Sequence, residues 1–198
     1  MSSVPITPQL NEASWTLPSR GVVGMICLIL AESAIFIIFV IAYIYYEGKS
    51  LSGPTPKQVL DIPIVATVCL LSSSITAHSA VSALRKSKVM ACAGWLGGTI
   101  ALALVFLFYT GQEWYHLIRN FGLTIKTNLF GTTFYSLVGL HATHVVVGVI
   151  MLTVAMIAAL RKAANEHHAE KLEVLSLYWH FVDAVWVVVF CVVYLFGR

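Results

Sequence analysis

Five apolar runs restrict what this chain can fold into more than any other feature. They cover Gly21–Tyr46 (broken only by Glu32), Ile62–Leu84, Val89–Gln112, Leu129–Leu160 and Val174–Phe196 (broken only by Asp183). The shorter ones hold 23 residues, and at about 1.5 Å of rise per residue they make roughly 34 Å of helix, enough to cross a hydrocarbon layer of about 30 Å. The fourth run is longer and tilts or protrudes. A soluble core does not need every element to be this long. The expected fold is all-α: a polytopic membrane bundle of five transmembrane helices, with residues 1–20 a polar leader and residues 21–198 one transmembrane domain.

Composition removes the competing classes. Hydrophobic residues make up 59% of the chain and charged ones 11%, against about 25% charged in soluble domains. The net charge of +3 is small and scattered, so nucleic acid is not an expected partner. Cys27, Cys69, Cys92 and Cys191 all lie in apolar runs, without Cys-x-x-Cys spacing, and read as small hydrophobes in helix packing. The leader has no basic stretch ahead of an apolar one and no small-residue cleavage site, so the first run is expected to stay in the mature protein. Linkers are at most about 17 residues, too short for an extramembrane domain. No internal repeat supports a repeat-built transporter.

Orientation follows from Lys and Arg on alternate sides. Arg20, Arg85, Lys86, Lys88, Arg161, Lys162 and Lys171 fall on the side of the N-terminus, and Lys49, Lys57, Arg119, Lys126 and Arg198 on the other. The expected arrangement has a cytoplasmic N-terminus and a periplasmic C-terminus.

Polar groups inside the spans carry the functional information, because an Asp at a helix centre costs about 2.5–3.5 kcal/mol on insertion scales. Glu32 lies eleven residues into the first run, about 16 Å deep. It is either a protonated carboxyl bonded to a neighbouring helix or a group that handles protons or lipid. Asp183 follows His180 by three residues, on one helix face with Trp179, Trp186 and Phe190. That stripe reads as an aromatic packing face with an internal His–Asp hydrogen bond. A proton relay there requires a second polar partner and an acceptor, which the sequence does not visibly supply. His141 and His144 share a face of the fourth run, as core histidines or, with a third ligand, a metal pair. Glu113 and His116 stand where the third run is expected to emerge, with Trp114 and Tyr115 as interface aromatics. Gly94 and Gly98 form a Gly-x-x-x-Gly step for close helix packing. There is no nucleophile elbow, Walker loop, His-Glu-x-x-His or dinucleotide fingerprint, so the residues provide no self-sufficient active site.

Several segments together resemble subunit III of the haem–copper terminal oxidases. FGTTFYSLVGLHATHVVVGVIML (130–152) is similar to that family's Gly-Leu-His-x-x-His-Val helix, and YWHFVDAVWVVVF (178–190) to its Trp-His-Phe-x-Asp-x-Val-Trp motif. LAESAIFIIF around Glu32 resembles the helix with the family's buried carboxylate, FYTGQEWYH (108–116) its Gly-Gln-Glu segment, and VATVCLLSSSITA matches more loosely. Ala31 stands where a Ser commonly precedes the Glu, and two initial helices of longer members are missing, as in short bacterial forms.

The resemblance implies a multi-pass subunit of the bacterial inner membrane, without haem or copper of its own. It implies packing on catalytic subunit I, in a complex with subunit II and open to a larger respiratory supercomplex. It also implies phospholipid held between helices and support for proton uptake and turnover stability. Glu32, His78, Glu113, His141, His144, His180 and Asp183 are the candidate proton- or lipid-related residues. Trp114, Trp179, Trp186, Gly94 and Gly98 are the packing candidates. Two other readings stay open: a b-type cytochrome clamping haem between His78 and His180, each about 9 Å deep, and a transporter using Glu32 and Asp183.

Overall fold

The structure, a computed structural model, describes residues 19–50, 53–161 and 166–196. The leader lies almost wholly outside the described residues, as do Lys162 and Arg198 of the charge count. Among the described residues every regular element is helical: α1 (Arg20–Tyr46), the short α2 (Pro56–Val59), α3 (Ile64–Arg85), α4 (Val89–Phe121), α5 (Leu129–Leu160) and α6 (Glu166–Phe190), which continues as a π-helical turn over Cys191–Phe196. Five of these helices are long and apolar enough to cross a membrane.

Local chemistry sets the helix ends. The Ser19 hydroxyl accepts from Val22 N–H at the start of α1, and the Asn128 side chain accepts from Gly131 N–H at 2.8 Å at the start of α5; both satisfy donors that a helix leaves unpaired. α3 and α4 are joined by a turn of three residues in which Ser87 takes φ 56° and the N–H groups of Lys86, Ser87 and Lys88 fold back onto the carbonyls of Ala83 and Leu84. α4 runs nine residues past the expected end at Gln112 and stops at Gly122, whose φ of 61° closes the helix. Hydropathy ends a run at its first charge, but Glu, His and Arg are all accommodated in a helix, so the backbone ladder continues past it. α5 begins and ends where the apolar run does. α6 begins at Glu166, eight residues before the expected 174.

α3, α4, α5 and α6 form a closed ring, each packed on the next and α6 back on α3, while α1 lies outside the ring against α5 and α6. Lipid removes the hydrophobic drive between helices, so close packing of small residues and interhelical hydrogen bonds hold them together. The α3–α4 seam shows both. Ala66, Ser73, Ala77 and Ala80 of α3 are buried with Cys92, Thr99 and Ala103 of α4, and the hydroxyls of Thr76 and Thr99 bond across it at 2.8 Å. Gly94 and Gly98, expected to make such a seam, face no other helix of this chain: a methyl group added at either meets nothing within 4 Å. The buried stripe of α4 runs Cys92, Leu96, Thr99, Ala103, Phe106 and Thr110, and the glycines fall off it.

The close approach belongs to Gly148 instead. A Cβ there would lie 2.6 Å from Cζ3 of Trp179, so α5 crosses α6 with the indole seated against bare backbone. Trp179 and Trp186 centre the core with Phe106, Phe134 and Leu137. α1 contributes little, burying only Met25, Phe36 and Tyr43.

Candidate functional site

Three polar assemblies lie inside the bundle. The first joins α1 to α5. His144 Nδ1 stands 2.8 Å from the Leu140 carbonyl one turn earlier, and a carbonyl only accepts, so Nδ1 carries the hydrogen. That leaves Nε2 facing Glu32 Oε2 at 3.2 Å. One proton lies between carboxyl and imidazole, held either as a neutral acid and base or as an ion pair. The net charge of the pair is zero both ways, which reduces the cost of a carboxyl in hydrocarbon. Phe36 packs on the His144 ring, centroids 4.9 Å apart, and the Tyr178 hydroxyl of α6 donates to the His144 carbonyl at 3.4 Å. The pair is not sealed: the side chains of His144 and Glu32 remain 13% and 26% exposed.

The second assembly joins α6 to α3. The Ser74 hydroxyl donates to Asp183 Oδ2 and also lies 2.9 Å from His180 Nδ1. A hydroxyl has one hydrogen, so with Asp183 as its acceptor, His180 Nδ1 is the donor to Ser74. His180 Nε2 then accepts from Ser176 at 3.2 Å. The expected direct His180–Asp183 bond is therefore absent, and Ser74 stands between the two. It is the second polar partner that a relay requires. Two indoles extend the seam: Trp179 Nε1 donates to Ser73 at 2.9 Å and Trp186 Nε1 to Thr67 at 3.2 Å. Asp183 is buried, and its Oδ1 has no partner.

The third lies toward the end of the bundle where α4 and the π turn finish. Tyr194, carried by the π turn, donates its hydroxyl toward both oxygens of Glu113 at 3.0 and 2.9 Å. Such turns re-aim a residue that a regular helix would place elsewhere. Trp114 takes part in the packing: it lies against Gly139 and meets Tyr135 edge-on at 5.4 Å. Tyr115 is exposed, with the Arg119 guanidinium 5.6 Å from its ring centre.

His141 does not join His144 in a ligand pair. It is fully buried, neither ring nitrogen has a partner, and it sits among Trp186, Phe106 and Phe36 at centroid distances of 5.0, 5.8 and 6.5 Å. Among the described residues no three His, Cys, Asp or Glu side chains converge as a metal site. His78 is exposed, and both ring nitrogens of His180 are engaged by serine hydroxyls. Glu32 and Asp183 bond to different helices, α5 and α3.

Sequence reasoning missed Thr67, Ser73 and Ser74, although a hydroxyl-rich stretch inside an apolar run is a recognisable mark of interhelical bonding. It also missed Tyr194, whose placement depends on the π turn, and Gly148, which has no spacing signature.

The family model for cytochrome c oxidase subunit III matches residues 17–198. The chain is 36% identical over 168 residues to cytochrome c oxidase subunit 3 of Alkalihalophilus pseudofirmus, covering 84% of this chain and 82% of that one. It is 33% identical over 196 residues to the protein of the same name from Bacillus sp. strain PS3, covering 96% and 93%. It is 29% identical over 177 residues to a probable quinol oxidase subunit 3 of Staphylococcus saprophyticus, covering 88% of each. A match over nearly the whole chain, to five helices of this length and order, leaves one assignment: the chain belongs to the cytochrome c oxidase subunit III family.

Proposed function

We propose that this chain is the supporting subunit of a haem–copper terminal oxidase. It packs on catalytic subunit I in a complex with subunit II, retains phospholipid, leaves haem and copper to those partners, and sustains proton uptake and turnover stability while oxygen is reduced to water. At the level of the family it is subunit III of a terminal oxidase, a multi-pass protein of the bacterial inner membrane associated with other oxidase subunits.

The Glu32–His144 pair is the observation that carries this reading. It lies midway along α1, shares one proton, and stays partly open at the α1–α5 groove. Open acid and base at that depth are costly in plain lipid, so the groove is where a neighbouring subunit or an ordered lipid belongs. A cavity of about 490 Å³, near the end of the bundle that holds the α3–α4 turn, supports the lipid role. Leu96, Ile150 and Val154 give it acyl-chain character and Lys171 supplies a cation for a phosphate. The same end holds Arg20, Arg85, Lys86, Lys88 and Arg161, which supports the reading that it is the cytoplasmic side, with the C-terminus on the periplasmic one.

The test is Glu32→Ala in the assembled oxidase. The expected result is faster inactivation during turnover, with slowed proton uptake or loss of bound phospholipid. If turnover, inactivation half-life and lipid content all match the unmodified complex, the reading fails.

A further inference from the structure

Tyr194 differs from the other hydrogen-bonded tyrosines in what its hydroxyl meets. The Tyr135 hydroxyl donates to the Leu123 carbonyl and the Tyr178 hydroxyl to the His144 carbonyl. A carbonyl accepts a hydrogen bond but does not take the proton. Tyr194 donates instead to both oxygens of a carboxyl side chain, Glu113, at 3.0 and 2.9 Å, within the reach at which a positioned base receives a proton. The π turn over Cys191–Phe196 delivers the phenol to this bond, and such turns are frequent at functional sites.

The same phenol lies beside an oxidisable indole. The ring centres of Trp186 and Tyr194 are 6.3 Å apart, the spacing of a packed aromatic pair, and both side chains are 1% exposed. The Trp186 N–H is held by the Thr67 hydroxyl at 3.2 Å, which is no base, so the indole can lose an electron while keeping its hydrogen. A phenol gives up an electron readily only if its proton leaves at the same time, because the protonated radical is a strong acid. Glu113 is placed to take that proton. It also lines a cavity of about 380 Å³ with Asp61, Gln112 and His116, and Asp61 and His116 are exposed, so the acid is not sealed in the core.

We propose that Trp186, Tyr194 and Glu113 form a proton-coupled redox relay that drains one-electron oxidising equivalents from the bundle. A peroxide-derived oxygen radical takes one electron from the Trp186 indole and becomes its anion, leaving an indole radical cation. Tyr194 returns that electron to Trp186 and passes its phenol proton to the Glu113 carboxylate. The O–H bond of Tyr194 breaks and an O–H bond forms on Glu113. The products are a neutral phenoxyl radical, a neutral carboxylic acid and the restored indole. A one-electron reductant of the ascorbate class then supplies an electron to the phenoxyl, Glu113 hands back the proton, and the phenol is reset. This role goes beyond that of a supporting subunit and rests on that reading only for the supply of oxidant, since oxygen reduction is a source of such radicals.

The experiment photo-oxidises tryptophan with an ultraviolet flash in the intact complex, in detergent, without oxygen or turnover, and freezes the sample for electron paramagnetic resonance. Tyr194→fluorotyrosine keeps the ring and the hydroxyl, and a radical on that ring carries a fluorine splitting. The expected result is a fluorine-split phenoxyl signal that disappears with Trp186→Phe and forms more slowly in deuterium oxide. Glu113→Gln should slow its formation about a hundredfold, because an amide oxygen accepts the bond but not the proton. Tyr178→fluorotyrosine, whose hydroxyl meets only a carbonyl, should give no split signal. A second measurement exposes the complex to hydrogen peroxide and maps oxygenated residues by mass spectrometry; Tyr194→Phe should raise oxygenation of Trp186 several-fold. The proposal is overturned if the Tyr194 signal is absent, survives Trp186→Phe, or forms equally fast with Glu113→Gln. Unchanged Trp186 oxygenation in Tyr194→Phe overturns it as well. Failure of the flash experiment leaves the supporting role in an oxidase untouched, since neither oxygen nor turnover is involved.

Discussion

Replacing Gly148 with Ala tests the packing of the whole bundle at one atom. The added methyl carbon would stand 2.6 and 2.7 Å from Cζ3 and Cε3 of Trp179, against the 3.4 Å at which ordinary contact begins, so ring or helix has to retreat by about 0.8 Å. Neither moves freely. Trp179 is fully buried and tied through Nε1 to Ser73 of α3 at 2.9 Å, while Tyr178 Cε1 crowds the same site at 3.5 Å. Overpacking of this kind costs about 1–3 kcal/mol. Loss of the indole bond adds about 0.6 kcal/mol, a typical value for interhelical bonds in membranes. Ala returns about 1 kcal/mol over Gly in a helix. The net expectation is a destabilisation of about 0.6–2.6 kcal/mol, which corresponds to a fall of about 1–10 °C in apparent Tm for a chain of this size. The assay is thermal denaturation of the oxidase complex in detergent, followed by tryptophan fluorescence. Gly94→Ala and Gly98→Ala are the controls, because a methyl group there meets nothing in this chain. Trp179→Leu should reduce the penalty of Gly148→Ala, a coupling readable in a double-mutant cycle. An unchanged Tm for Gly148→Ala, or a penalty that Trp179→Leu does not relieve, refutes the reasoning.

Two further outcomes follow from the polar seams. Ser74→Ala removes the donor to Asp183 and leaves a buried carboxyl without a hydroxyl partner, at a cost of about 1–3 kcal/mol; Ser74→Ala/Asp183→Leu, apolar on both sides, should be less destabilised than the single variant in the same denaturation assay. Tyr194→Phe deprives Glu113 of its hydroxyl donor and should cost about 1–3 kcal/mol, as for a buried acceptor left unsatisfied. Adding Glu113→Leu should recover part of that stability, and a Tyr194→Phe protein as stable as the unmodified one would contradict the Tyr194–Glu113 assignment.

The sequence placed the helices well and their contacts less well. Gly94-x-x-x-Gly98 has the spacing of a packing motif, but spacing along one helix does not say which face meets a neighbour, and here α3 meets the Cys92–Thr99–Ala103 stripe. His180 and Asp183 share a helix face, as their separation requires, yet their common partner lies about a hundred residues earlier in the chain, on α3. Glu32 was recognisable as a costly residue at mid-depth, but the imidazole that answers it belongs to α5. His141 and His144 look equivalent in sequence; one turn of α5 faces an aromatic cage and the next faces α1.

Sequence by itself determined that five helices cross a bilayer, because span length, lack of charge and backbone satisfaction are properties each segment has alone. It also marked which polar groups are expensive, since the cost of burying a carboxyl depends on depth. Tertiary structure decided how that cost is met: which serine divides His180 from Asp183, which tyrosine the π turn delivers to Glu113, and which glycine admits an indole. These are distances between segments far apart in the chain, fixed by how the helices rotate and cross, and no local pattern contains them.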